Sequence, residues 1–267
     1  MRLHFGSGNV GWHWTELGRR NPFGAVLATS GEQSPAREID DFFATGREDV
    51  ARLIVHLARV APMVRRRAAL DFGCGVGRLT RALADHFERV VGIDVAPSMI
   101  AQARAMNREY ARCNFRVNRS VRLRLLCNDS FDLVYSRLVL QHIPPSRLRR
   151  YIPELVRVLA PDGILVFQLP DKLAVDPREE FCNAPVSDTL VKRHLPRFLV
   201  KMHRRLKYQF LVPDSVPRME MFGMPRDTVI ALLQSCGATV KDVRRDDAHG
   251  TDTPGFEYWV TKQESAA

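Results

Sequence analysis

Apolar and polar positions follow two rhythms along the chain. From Ala68 onward, short apolar runs alternate with stretches in which apolar residues recur at helical spacing. That is the pattern of a parallel sheet with crossover helices. The first run is Ala68-Ala69-Leu70-Asp71-Phe72, followed by Gly73-Cys74-Gly75-Val76-Gly77. Leu79, Ala82, Leu83 and Phe87 then predict a helix. A second strand reads Val90 to Asp94, and its helix opens at Pro97, a residue favoured in the first turn. Further strands are predicted at Asn114–Val117 and Phe131–Tyr135. A helical region covers Ser146–Leu159, with Pro153 kinking or splitting it. The turn Pro161-Asp162-Gly163 leads into a strand at Ile164–Phe167.

After a long interval, Pro225–Cys236 reads as a helix stopped by Gly237. Thr239–Val243 and Phe256–Thr261 form an antiparallel hairpin at the sheet edge, joined across a loop of turn residues. The expected fold is therefore α/β: a doubly wound, seven-stranded, mostly parallel sheet with an antiparallel edge hairpin. Four parts follow. Residues 1–60 form an N-terminal helical segment, with a clear helix at Glu48–Arg59 carrying Val50, Leu53, Ile54 and Leu57 on one face, placed to cover a cofactor. Residues 61–170 form the ligand-binding core, 171–224 an insertion after the fifth strand, and 225–267 the completion of the sheet.

The glycine cluster is where chemistry enters. A strand ending in glycines before a helix brings backbone N–H groups and the positive helix end up to a ligand. Asp94 ends the second strand 21 residues after Gly73, placed to accept both hydroxyl protons of a ribose. The dinucleotide fingerprint G-x-G-x-x-G/A fails, because the third small residue would fall on Arg78 or Thr80. The pattern is instead acidic-x-G-x-G-x-G: Asp71, Gly73, Gly75, Gly77.

With these residues the chain resembles the class I S-adenosylmethionine-dependent methyltransferases. Leu70 to Thr80 is similar to that family's first motif and Val91 to Met99 to its second. Ser130 to Ser136 is similar to the fourth and Arg157 to Gly163 to the sixth, in the family's order and spacing. The nearest flavour is the branch of quinone-biosynthesis methyltransferases. The resemblance implies a Rossmann-like fold, S-adenosyl-L-methionine as cofactor and S-adenosyl-L-homocysteine as product. It also implies that Asp71, Gly73, Cys74, Gly75 and Gly77 hold the methionine portion, that Asp94 binds the ribose, and that Val95 and Met99 flank the adenine. Met99 serves equally as ordinary helix packing. The third motif offers no carboxylate here, and Asn118 stands in its place as an acceptor for the adenine amino group. Ser136, at the end of the fourth strand, completes the set. Arg47 and Arg78 either pair with the methionine carboxylate or are surface charges.

Acceptor-facing positions follow the fourth strand, from Ser136 to Pro145. His142 is the imidazole near the site and the candidate general base, unless it only packs the following helix. The Asn/Asp-Pro-Pro-aromatic and Pro-Cys motifs that DNA-methylating enzymes share are absent, which speaks against DNA. Five scattered cysteines make neither a zinc knuckle nor a redox pair, so no metal is expected and the thiols read as reduced, in a cytoplasmic protein.

Charge changes the picture once. The net charge is +10, and residues 191–210 hold Lys192, Arg193, Arg197, Lys201, Arg204, Arg205 and Lys207 with no acidic residue. Apolar residues recur there at helical spacing. The segment reads as a lid with a solvated basic face, or as a peripheral contact with an anionic membrane or phosphate-bearing acceptor. The expected activity is methyl transfer to oxygen of a small-molecule, saccharide or lipid-linked acceptor. An RNA methyltransferase and a non-catalytic cofactor-binding scaffold remain as alternatives.

Overall fold

A computed structural model describes residues 10–27, 35–171, 219–248 and 254–262. Three helices lead into the sheet: α1 (Val10–Arg20), α2 (Pro22–Leu27) and α3 (Pro35–Val60). There follow β1 (Ala68–Phe72), α4 (Arg78–Leu83), β2 (Arg89–Asp94), α5 (Pro97–Met106), β3 (Cys113–Val117) and β4 (Phe131–Ser136). A 3-10 helix at Leu140–His142 precedes α6 (Pro145–Val158) and β5 (Leu159–Pro170). The chain closes with α7 (Arg226–Ser235), β6 (Ala238–Arg245) and β7 (Gly255–Lys262).

The seven strands lie in the order β3-β2-β1-β4-β5-β7-β6. β1 to β5 are parallel, while β7 runs antiparallel to both β5 and β6. Every residue of β1 is buried, as befits a strand covered on both faces. Alternation splits its side chains between two cores. Leu70 and Phe72 join the apolar face of α6 and α7, while Ala69 joins Val50, Leu53 and Leu57 of α3 and Leu79 and Leu83 of α4. The strand order reverses between β1 and β4, the switch point at whose carboxyl side open α/β sheets bind ligands.

Two local expectations are revised. Pro153 does not split α6, which runs through it as one helix of 14 residues. The carbonyl that this proline leaves without a donor belongs to Arg149, an exposed residue, where solvent can compensate the lost bond. β5 begins at Leu159, five residues before the expected strand. Leu159 pairs with Phe131, and the register then shifts before Ile164 pairs with Leu133, so the Pro161-Asp162-Gly163 turn sits inside the strand as a bulge. The helix expected at Glu48–Arg59 is the second half of the 26-residue α3. The basic stretch 191–210 lies outside the described residues.

Candidate active site

The floor of the site is the β1–α4 turn. Gly73 and Cys74 donate their backbone N–H groups to the Ile93 carbonyl (2.8 and 3.0 Å), tying the turn to β2. Gly73 has φ +79°, and a Cβ there would lie 2.3 Å from Val139, so no other residue fits. Asp71 lies beneath the turn, fully buried, and accepts the Thr80 hydroxyl at 2.6 Å. Burial pushes its pKa up to about 6 against the opposing pull of Thr80 and Arg78.

Asp94 forms the next wall. Its carboxylate accepts N–H groups from Gly75 (3.0 Å) and Ala96 (2.8 Å), one oxygen each. Burial raises its pKa and these backbone donors oppose the rise. The Val95 backbone adds to these donors, but the four lone pairs of the carboxylate outnumber them, and the group borders a cavity of about 250 Å³. Beside it, Asn118 donates its side-chain amide to the Ser120 carbonyl at 2.7 Å, and its backbone N–H to the Asp94 carbonyl at 2.8 Å.

The roof comes from the N-terminal helices. α1 packs on α5 so closely that a Cβ on Gly18 would stand 2.6 Å from Ser98 Oγ. Ser98 Oγ donates to the Thr15 carbonyl and Gln102 Nε2 to the Gly18 carbonyl. This docking lays Val10 and Trp14 of α1, with Val26 of α2, along the cavity.

His142 is buried at the far wall, its ring edge-on to Trp14 at 5.0 Å between centroids. Its Nδ1 lies 2.7 Å from the Glu220 carbonyl. A carbonyl only accepts, so Nδ1 carries the proton and Nε2 of the neutral ring keeps its lone pair, with the Gln141 amide nitrogen 3.3 Å away. Burial lowers the imidazole pKa, against the Glu220 bond, so the neutral ring is favoured. Phe222 N donates to the Gln141 carbonyl at 2.6 Å, so the chain returning from the insertion clamps this 3-10 helix at two points.

One network was invisible in the sequence. Asp49 of α3 accepts Arg78 Nη1 at 2.7 Å and lies 3.4 Å from Arg137 Nε, while Arg137 Nη1 reaches Asp246 at 2.6 Å. Burial pulls the Arg137 pKa down, but Tyr135, Asp49 and Asp246 outweigh it and hold the guanidinium charged. The partners lie up to 109 residues apart, so no local pattern announces them. Trp14 did have a signal, since Val10, Trp14 and Leu17 fall at helical spacing.

Of the residues singled out from sequence, Gly73, Cys74, Gly75, Arg78, Asp94, Val95, Met99, Asn118 and His142 share the cavity wall. Met99 is also a core residue beside Phe42 and Val76. Four others stand elsewhere. Asp71 is beneath the turn, and Gly77 packs against Asn107 and Phe115. Ser136 is buried, its hydroxyl donating to the Phe72 carbonyl. Arg47 is exposed on α3, and Arg78 is committed to Asp49.

Residues 69–163 match a family model described as "Methyltransferase domain". The chain is 36% identical over 128 residues to the trans-aconitate 2-methyltransferase of Methylobacterium radiotolerans, covering 44% of this chain and 43% of that protein. It is 34% identical over 117 residues to the protein of the same name from Variovorax paradoxus, covering 43% and 42%. The alignments thus span under half the length of these relatives. The crystal structure of magnesium protoporphyrin IX methyltransferase from Synechocystis PCC 6803 with bound SAH superposes with a TM-score of 0.57 at 16% identity, over 95% of this chain and 98% of that one. The fold is that of these solved methyltransferases, and residues 69–163 are similar to a methyltransferase domain. These relatives do not confirm the quinone-biosynthesis branch.

Proposed function

We propose that the protein transfers a methyl group from S-adenosylmethionine to a hydroxyl oxygen of a small-molecule acceptor, saccharides and lipid-linked polyols included, with His142 as general base. The cavity residues suit the cofactor: Asp94 presents a spare lone pair where a ribose would lie, beside a turn whose Gly73 tolerates no Cβ. When bound, the cofactor supplies a methyl group on a positively charged sulfur.

The observation that carries the reading is the imidazole held as its Nδ1–H tautomer by the Glu220 carbonyl, in the wall of the same cavity. Nε2, whose lone pair meets the Gln141 amide at 3.3 Å, takes the hydroxyl proton in place of that contact as the acceptor oxygen forms its bond to the methyl carbon, and the carbon–sulfur pair leaves on sulfur. Trp14 and the apolar wall exclude water from that step. Replacing His142 by Ala should lower kcat by about 10²–10⁴ while S-adenosylhomocysteine affinity stays intact. Full activity in that variant would overturn the assignment. Radiolabelled methyl transfer into fractionated cell extract tests the acceptor class. Label in a small-molecule or lipid fraction is expected, and label in RNA, or none, would refute it.

A second reading is methylation of a carboxylate, supported by the name of the relatives and by Arg147, a cavity-lining cation with no described ion pair. A carboxylate has no proton to lose, so in that case His142→Ala retains most turnover.

A further inference from the structure

One residue of the cavity wall holds a backbone conformation that its own side chain disfavours. Leu138 has φ +59°, in the left-handed region where a Cβ crowds the following carbonyl. Among the described residues only Asp129 shares this departure without being glycine, and it is exposed and of a type that tolerates it. Leu138 cannot relax, because both neighbours are pinned. Arg137 is tied to Asp246 at 2.6 Å and lies 3.4 Å from Asp49. Val139 fills the space over Gly73, and its carbonyl accepts the His142 N–H at 2.9 Å. Glycine or asparagine would make the same turn at less cost, so the turn alone does not account for a leucine. Packing does not account for it either. Leu138 is half-buried and joins none of the four hydrophobic clusters among the described residues, not even at their edges. What its side chain does border is the cavity, beside Val139 and Ile143.

Strand order says which end of the cavity this is. Asp94 ends β2 and Asn118 follows β3, both to one side of the glycine turn after β1. Leu138 follows β4, on the other side, four residues before His142. Resting on the hydroxyl-methylating reading above, we infer that Leu138 is a specificity residue that takes an apolar face of the acceptor, next to the hydroxyl that His142 deprotonates. The strained turn is kept because it aims a branched apolar side chain into the cavity from a point where the chain must also bend toward the 3-10 helix. Trp14, Ile143 and Met221 extend the same apolar surface. The acceptor is then a hydroxyl carried on hydrocarbon, an aromatic ring or an alkyl chain, rather than a polyol that is polar on every side. Water released from that face on binding supplies affinity, and the contact fixes how the hydroxyl is presented.

The test uses 2-naphthol, a hydroxyl on an apolar ring system, titrated by its own fluorescence into the full-length protein saturated with S-adenosylhomocysteine. Leu138→Asn puts in a residue that accepts the left-handed turn but removes the apolar surface, whereas Leu138→Met keeps that surface. The Asn variant should bind 2-naphthol about tenfold or more weaker than wild type, the scale of one apolar side chain withdrawn from a ligand. It should melt no lower than wild type, since its backbone strain is relieved. The Met variant should bind the probe within about twofold of wild type. Undiminished binding by the Asn variant, or no binding by wild type, would overturn the inference. So would a melting temperature lower by about 5 °C or more in the Asn variant, the mark of a lost packing residue. S-adenosylhomocysteine affinity is measured first in each protein. If wild type fails to bind it, the methyltransferase reading fails. If only the Asn variant loses it, Leu138 belongs to the cofactor's end of the cavity, and the inference falls while that reading stands.

Discussion

Asp71 and Asp94 stand on neighbouring strands within one turn of the glycine loop, yet only Asp94 faces the cavity. Replacing Asp94 by Ala removes a cavity acceptor and frees the Gly75 and Ala96 N–H groups at once. It should weaken S-adenosylhomocysteine by about 1.5–3 kcal/mol in calorimetry. Unchanged affinity would remove Asp94 from the ribose site. Asp71 predicts a pH effect instead. Its folded pKa of about 6 exceeds the ordinary 3.8, so between those values the folded protein binds more protons than the unfolded chain. Stability contributed by this group is therefore full below about pH 4 and falls as pH rises through 6, by up to about 3 kcal/mol. Asp71→Asn abolishes that slope whatever constant offset it adds. The stability difference between variant and wild type should move in the variant's favour from pH 4 to pH 7, and parallel unfolding curves at the two pH values would refute the buried-carboxylate account.

At the scale of elements, the sheet and its helices follow directly from the period of apolar residues, because each strand's environment is written in its own sequence. The failures have a common cause. β5 swallowed a Pro-Asp-Gly turn because a parallel partner, Phe131, captured Leu159 ahead of it. α6 kept Pro153 at a turn where Arg149, whose carbonyl loses its donor, is an exposed residue. In both, tertiary context overrode a local rule. The site divides the same way. The glycine turn and Asp94 carry a spacing that sequence reveals, whereas the Glu220 bond that sets the His142 tautomer spans 78 residues and leaves no trace. α1 offers the sharpest element-level test. Its docking on α5 depends on Gly18, where a Cβ would crowd Ser98 and Met99. Gly18→Val should lift α1, raise hydrogen exchange across 10–20 and weaken S-adenosylhomocysteine several-fold, since Trp14 and Val10 leave the wall. The main unfolding transition should shift little, because the core of the sheet lies under α3, α4, α6 and α7. Unaltered exchange and affinity would show that α1 is not part of the binding wall.

Across the whole molecule, the segment outside the pattern is rooted at the chemistry. Its leading edge is fixed where the Asp171 N–H donates to the Pro254 carbonyl, and its trailing edge where Met224 N–H meets the Pro170 carbonyl. Glu220 and Phe222 then grip the 3-10 helix that carries Gln141 and His142. The trailing end of the insertion, through Met219 and Met221, borders the same cavity that Asp94 and Asn118 line from β2 and the turn after β3. The sequence places seven basic residues and no acidic one in residues 191–210. Each Lys or Arg near an anionic bilayer contributes about 1 kcal/mol, so several together suffice for reversible attachment. Reversing Lys201, Arg204 and Arg205 to Glu should therefore raise the acceptor KM or abolish sedimentation with anionic vesicles, leaving S-adenosylhomocysteine affinity within about twofold. Neutral vesicles and high salt supply the control, since binding of electrostatic origin fades with both. If wild-type protein ignores anionic vesicles at low salt and the triple variant methylates its acceptor normally, the basic stretch has no part in recognising either.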